Sequence, residues 1–168
     1  MNNNWLKPDW DTGTIISRIV IKDIIDKGIK ALLIDVDGTL LPTKQMYVHE
    51  NIHQWISLAK ESFKVHLISN NPSYHRIKLI AKQLEINFTY KALKPRRISL
   101  LKAINDYKMD KKEVAIIGDR LFTDILAGNR AGIYTILVKK IDTNANSVKS
   151  DLTYSLEKKL VDLLGANL

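Results

Sequence analysis

Cysteine is absent from the 168-residue chain. That excludes disulfides, thiolate metal sites and thiol nucleophiles. No stretch approaches the ~18 apolar residues that a membrane-spanning helix needs; the longest candidate, TIISRIVI, is short and holds Arg18. The N-terminus, MNNNWLKPDW, lacks the basic start and continuous apolar run of a signal peptide. The expectation is a cytoplasmic protein with no transmembrane segment, at most peripheral on the inner face of the membrane. No internal repeat, low-complexity tract or interdomain linker breaks the chain. Its 45% hydrophobic and 26% charged content is that of a globular protein with one core. We therefore expect a single domain over 1–168, with an amphipathic segment at 1–29 and a C-terminal packing helix within 149–168.

Acidic residues are outnumbered, 18 against 26 basic, for a net charge of +8. The stretch Lys91–Lys112 carries eight Lys or Arg and two Asp. Such a stretch favours anionic partners, whether phosphate esters, acidic lipid surfaces or nucleic acid.

Apolar runs alternate with segments of helical period. Ala31–Val36, Val65–Ser69, Thr89–Leu93, Val114–Gly118 and Tyr134–Val138 read as buried strands. His49–Ser62, Tyr74–Leu84, Arg96–Tyr107 and Phe122–Arg130 read as helices, with Pro72 and Pro95 at first-turn positions. This alternation predicts an α/β fold, a parallel sheet of about five strands with helices on both faces. Ile15, Ile16, Ile19, Val20, Ile24 and Ile25 fit a helical stripe, and Leu152, Leu156, Leu160 and Leu163 mark the tail helix. Trp5 and Trp10 suit either a lipid interface or the edge of the sheet.

In a parallel sheet, ligands bind beyond the carboxyl ends of the strands. The first strand ends in Asp35 and Asp37, the second in Ser69 and Asn70; the third leads to Lys94 and the fourth ends in Asp119. Within IDVDGTL, Gly38 permits a sharp turn and Thr39 can bond the redirected backbone. Paired carboxylates at such a turn suit phosphoryl transfer: one attacks phosphorus while the other protonates the leaving oxygen. A carboxylate approaching a phosphate dianion needs neutralisation. Mg2+ is the expected agent, with the Asp35 and Asp119 side chains and the Asp37 carbonyl as ligands. Lys94 serves as a point charge for the transferring group, Ser69 as a hydroxyl donor, and Asp124 as an orienting residue behind Asp119.

The segments LLIDVDGTL, LISNN, YKALKPRR and IIGDRLFTDILAGNRAGIYTILV resemble a known family. They are similar to the capless, subclass IIIA phosphatases of the haloacid dehalogenase (HAD) superfamily, in particular the YqeG-like group related to mitochondrial phosphatidylglycerophosphate phosphatases. The resemblance implies a three-layer Rossmann-like fold, Asp35 as nucleophile, Asp37 as acid/base, Ser69 and Lys94 as phosphate-binding residues and Asp119 as a magnesium ligand. The substrate it implies is phosphatidylglycerophosphate.

His49-Glu50-Asn51-Ile52-His53 matches the H-E-x-x-H zinc pattern. It lacks a third ligand at a recognised spacing, and its residues read as helix N-terminal and surface groups; His66 and His75 read as structural. The chain leaves 29 residues, 40–68, between Thr39 and Ser69, which a loop, a helix and a strand consume. No cap domain fits there or between Asn70 and Lys94. An open site suits a large surface, and a phosphate monoester carried on a lipid is the expected substrate. Two alternatives differ in class: a soluble phosphatase for sugar phosphates or nucleic-acid ends, and a nucleic-acid- or ribosome-binding protein with a vestigial site.

Overall fold

The computed structural model of the protein describes residues 5–141. The expected tail helix over Lys149–Leu164 lies outside them. The strands are β1 (Trp10–Asp11), β2 (Ala31–Ile34), β3 (Lys64–Ile68), β4 (Asn87–Thr89), β5 (Val114–Gly118) and β6 (Tyr134–Leu137). The helices are α1 (Ile21–Ile25), α2 (Glu50–Ser62), α3 (Tyr74–Leu84), α4 (Ile98–Asp106) and α5 (Leu126–Ala131). All strand pairs are parallel, in the order β1-β6-β5-β2-β3-β4.

Strand β2 shows why the sheet is covered on both faces. Leu32 and Ile34 join one core cluster with Ile52, Trp55 and Ile56 of α2 and Ile77 and Ile80 of α3. Ala31 and Leu33 join a second cluster with Leu100 and Ile104 of α4 and Ala127 of α5. Alternate side chains of a strand point to opposite faces, so a strand apolar at every position requires a helical layer on each side. From β2 the chain proceeds outward to β3 and β4, then crosses to β5 on the other flank. The direction of winding thus reverses beside β2, which is where an open α/β sheet forms a crevice.

Four sequence expectations are corrected. Among the described residues the sheet has six strands, the sixth being β1, two residues long and paired with β6 through Trp10–Ile136 and Asp11–Leu137. The third predicted strand is displaced: β4 ends at Thr89, and positive φ at Lys91 and Leu93 turns the chain out of the sheet. The Ile15–Ile25 stripe is broken into a 3-10 turn (Ile16–Arg18) and the short α1, consistent with its β-branched content. Pro72 and Pro95 precede their helices instead of opening them.

The N-terminal segment covers the sheet. Ile16, Ile19 and Ile24 are buried in the first core, and Trp55 Nε1 donates to the Ile19 carbonyl at 2.8 Å. Trp10 packs against the same core, with Lys27 Nζ 4.9 Å from its ring centre. Of the two readings, Trp10 and the stripe members Ile16, Ile19 and Ile24 thus take the packing one, while Val20 and Ile25 are exposed.

Candidate active site

The β2 ladder runs one residue past the strand, as Asp35 N donates to the Ile117 carbonyl at 2.9 Å. The chain then folds back sharply: Leu40 N donates to the Val36 carbonyl at 3.0 Å and Gly38 N to the Leu41 carbonyl at 2.9 Å. Gly38 has φ +94, and a Cβ there would lie 2.5 Å from Asp119 Oδ2. The glycine thus serves the turn and the close approach of a carboxylate together. Thr39 is buried beneath, its Oγ1 3.2 Å from Asp119 Oδ1 and 3.4 Å from Asp35 Oδ2. At the end of β5, Gly118 makes similar room: a Cβ there would lie 2.4 Å from the Asp124 side chain.

Lys94 is the centre of the arrangement. Its Nζ lies 2.6 Å from Asp35 Oδ1, 2.6 Å from Asp124 Oδ1 and 2.8 Å from the Ile68 carbonyl. The backbone carrying Lys94 is clamped by Asn70, whose Nδ2 donates to the Lys94 carbonyl (2.9 Å) and whose Oδ1 accepts from Lys94 N (2.7 Å). Ser69 is buried, and its Oγ accepts from Asn71 N at 3.1 Å. Asp124 is 1% exposed and accepts from Arg120 N at 3.2 Å, so it faces the site and not solvent. The eight sequence-predicted residues, Asp35, Asp37, Thr39, Ser69, Asn70, Lys94, Asp119 and Asp124, thus meet at one edge of the sheet. A crevice of about 230 Å³ opens over Asp35, Asp37, Ser69, Asn70 and Lys94.

Two residues not singled out from the sequence complete it: Arg76, outside the motifs, and Asn71, the last residue of LISNN. Arg76 Nη2 lies 2.8 Å from Asp37 Oδ1, and Asn71 Nδ2 donates to Asp37 Oδ2 at 3.0 Å. Arg76 is buried although it sits beside the apolar stripe of α3, and its Nε donates to the Gln45 carbonyl at 3.0 Å. An arginine flanking a core stripe is the one sequence signal that pointed to it. Arg120 and Thr123 also line the crevice.

The residues of the zinc-like pattern are elsewhere. His49 is the N-cap of α2 and Glu50 Oε1 accepts from Gln54 Nε2 at 3.2 Å. His66 lies in β3, 3.1 Å from the Tyr107 hydroxyl and 2.9 Å from Thr89 Oγ1.

The electrostatics call for a cation. Asp35, Asp119 and Asp124 each offer an oxygen within 4.8 Å of the others, and all three are buried. Burial pushes the Asp35 carboxyl up to about 6, Lys94 drawing it back and Asp124 adding to the rise. Burial, reinforced by Asp35 and Asp124, pushes Asp119 up to about 7. Burial pulls the Lys94 pKa down, but Asp124 and Asp35 together outweigh it and raise the pKa, keeping the ammonium charged. Three buried carboxyls against one ammonium leave an excess of negative charge that a hard, oxygen-seeking dication would neutralise. The donor set fits such an ion.

The chain is 35% identical over 124 residues to the probable phosphatase YqeG of Bacillus subtilis, covering 73% of this chain and 72% of that one. The chain belongs to the YqeG-like family of HAD-type phosphatases. A HAD-hydrolase-like family model matches residues 92–161 of this phosphatase. It is also 30% identical over 157 residues to the mitochondrial phosphatidylglycerophosphatase GEP4 of Saccharomyces cerevisiae, across 84% of this chain and 81% of that one. Among solved structures, an uncharacterized protein of Listeria monocytogenes superposes with a TM-score of 0.56 at 18% identity, over 71% of this chain and 85% of that one. The cobalt-bound deoxy-D-mannose-octulosonate 8-phosphate phosphatase of Haemophilus influenzae gives 0.53 at 17% identity, over 79% and 91%. These two likenesses carry the fold, a Rossmann-like α/β sheet of the HAD type.

Proposed function

We propose that the enzyme is a magnesium-dependent phosphomonoesterase working through an aspartyl-phosphate, with phosphatidylglycerophosphate as its substrate. The observation that carries the chemistry is the buried contact of Lys94 with both Asp35 and Asp124, beside an open crevice at the switch point of the sheet. Asp35, Asp119 and the Asp37 carbonyl would hold the magnesium, with Asp124 completing the acidic cluster. When bound, the ion supplies neutralisation of the phosphoryl charge.

The chain's own groups do the rest. The Asp35 carboxylate attacks phosphorus, and the phosphorus–oxygen bond to the leaving alcohol breaks. Asp37, held by Arg76 and Asn71, gives its proton to that oxygen. Lys94 and the Ser69 hydroxyl bind the equatorial oxygens of the transferring group. In the second half, Asp37 takes a proton from the water that cleaves the acyl phosphate, releasing inorganic phosphate and restoring Asp35.

The lipid substrate is supported by the GEP4 relationship and by how little covers the crevice. The connections after β2 and β3, residues 35–49 and 69–73, contain no inserted domain, so the enzyme does not need to lift a diacyl chain into water to reach the headgroup. The test is a phosphate-release panel with phosphatidylglycerophosphate in mixed micelles, sugar phosphates and 5′-phosphorylated oligonucleotides, with and without magnesium. Preference for the lipid in magnesium supports the assignment; a soluble sugar phosphate turned over faster would reject it and leave the phosphatase chemistry standing.

A further inference from the structure

The large apolar side chains exposed to solvent are unevenly placed. Tyr47, Tyr74, Tyr90, Leu93 and Ile98 are exposed, Ile98 at 72%. Tyr47 lies on the connection after β2, Tyr74 opens α3 after β3, and the other three lie on or just past the connection from β4 to α4. In an all-parallel sheet these connections share the carboxyl edge, so five of the nine exposed large apolar residues among the described ones lie at the end of the sheet where the crevice opens. Tyr74 and Tyr90 touch, with ring centres 5.2 Å apart. Leu93, directly before Lys94, is held at φ +58, a left-handed conformation unfavourable for leucine. The Asn70 clamp on Lys94 adjoins Leu93, which is left half exposed, at 51%.

Beyond the site carboxylates, two of these connections carry exposed cations and none carries an acid. Residues 41–49, 69–73 and 90–97 contain no Asp or Glu, while Lys44, Lys91, Arg96 and Arg97 are all exposed.

We infer that this crown of Tyr47, Tyr74, Tyr90, Leu93 and Ile98, with cations on the same connections, is the face on which the enzyme docks to an anionic lipid bilayer, with the crevice opening onto the headgroups. The inference rests on the lipid-phosphate reading and gives it a surface. Exposed apolar side chains beside exposed cations match the acyl boundary and headgroup charge of an interface. A second copy docked symmetrically on this face would bring the four cations against their equals, so the bilayer is the better complement. The docking element is the site-bearing loop, not the N-terminal segment.

The test is flotation of the full chain with phosphatidylcholine vesicles, with and without phosphatidylglycerol and lacking any lipid phosphomonoester. The wild type is compared with Leu93→Asn/Ile98→Gln and with Arg96→Gln; asparagine tolerates the left-handed conformation, and Ile98→Gln alone serves should the double variant misfold. The wild type is expected to bind anionic vesicles. The double variant should bind at least about tenfold more weakly, and Arg96→Gln about fivefold more weakly at low salt. Turnover of a soluble aryl phosphate should not change. Equal flotation of wild type and double variant, or none by the wild type at low salt, would overturn the docking face. A wild-type dimer that dissociates on the double substitution without binding vesicles would give the crown to a second copy. Crown-dependent vesicle binding without release of phosphate from phosphatidylglycerophosphate would leave the face standing and remove the substrate.

Discussion

Arg76, on α3, places Nη2 2.8 Å from Oδ1 of Asp37, the residue two positions beyond the proposed nucleophile. The guanidinium and the Asn71 amide hold one oxygen each of the same carboxyl group, so the orientation of the proposed acid is set from outside its own loop. Removing the guanidinium should act on leaving-group protonation. We expect Arg76→Ala to lower kcat by about 10- to 100-fold for substrates with poor leaving groups, with a smaller loss for aryl phosphates and little change in KM. Arg76→Lys should recover part of it. Equal losses for good and poor leaving groups would mean that Arg76 supports the fold only.

Asp35→Asn should abolish turnover by more than about 1000-fold while the chain stays folded by circular dichroism. Beryllium fluoride should form its adduct on Asp35 of the wild type, located by mass spectrometry or NMR. A variant that still turns over substrate would exclude the covalent route. Asp37→Asn, in contrast, should retain formation of the adduct.

The carboxyl cluster predicts a crossing of stabilities. Without metal, Asp119 is a buried acid beside Asp35 and Asp124, and Asp119→Asn relieves repulsion; with magnesium, the same change removes a ligand. In a chelator the variant should therefore melt above the wild type. At magnesium near 100 times its dissociation constant, the wild type should gain about 3 kcal/mol and melt above the variant. Parallel shifts of both proteins on adding magnesium would place the ion elsewhere.

Burial pushes His66 down to about 4, with Asp106 opposing slightly. Between pH 6.5 and 4 the unfolded chain takes up a proton that the folded imidazole refuses, so stability falls as pH falls through that window. The slope is at most about 1.4 kcal/mol per pH unit from this residue. His66→Gln should flatten that limb, read as the urea midpoint against pH. An unchanged limb would assign acid sensitivity to other groups.

What the sequence by itself determined was local. The turn after β2, the boundaries of α2 and α3 to within a residue and the polar group after each of four strands follow from short-range pattern, because a buried strand and the turn behind it are specified by neighbouring residues. The roles of Gly38 and Gly118 were half visible: the motif showed the glycines, but only the fold showed the carboxylates of Asp119 and Asp124 filling the space where their side chains would be. The pairing of β1 with β6 was hidden, since two residues carry no periodicity and the partner lies more than 120 positions away. The contact between Arg76 and Asp37 and the place of Asp124 against Lys94 depend on how α3 and the β5–α5 turn pack on the sheet. The crown is a property of the third dimension too. Leu93 reads along the chain as the end of a buried strand and Tyr47, Tyr74 and Ile98 carry no signal of their own; only the parallel sheet, by bringing the carboxyl-end connections to one edge, left them exposed on the side of the site.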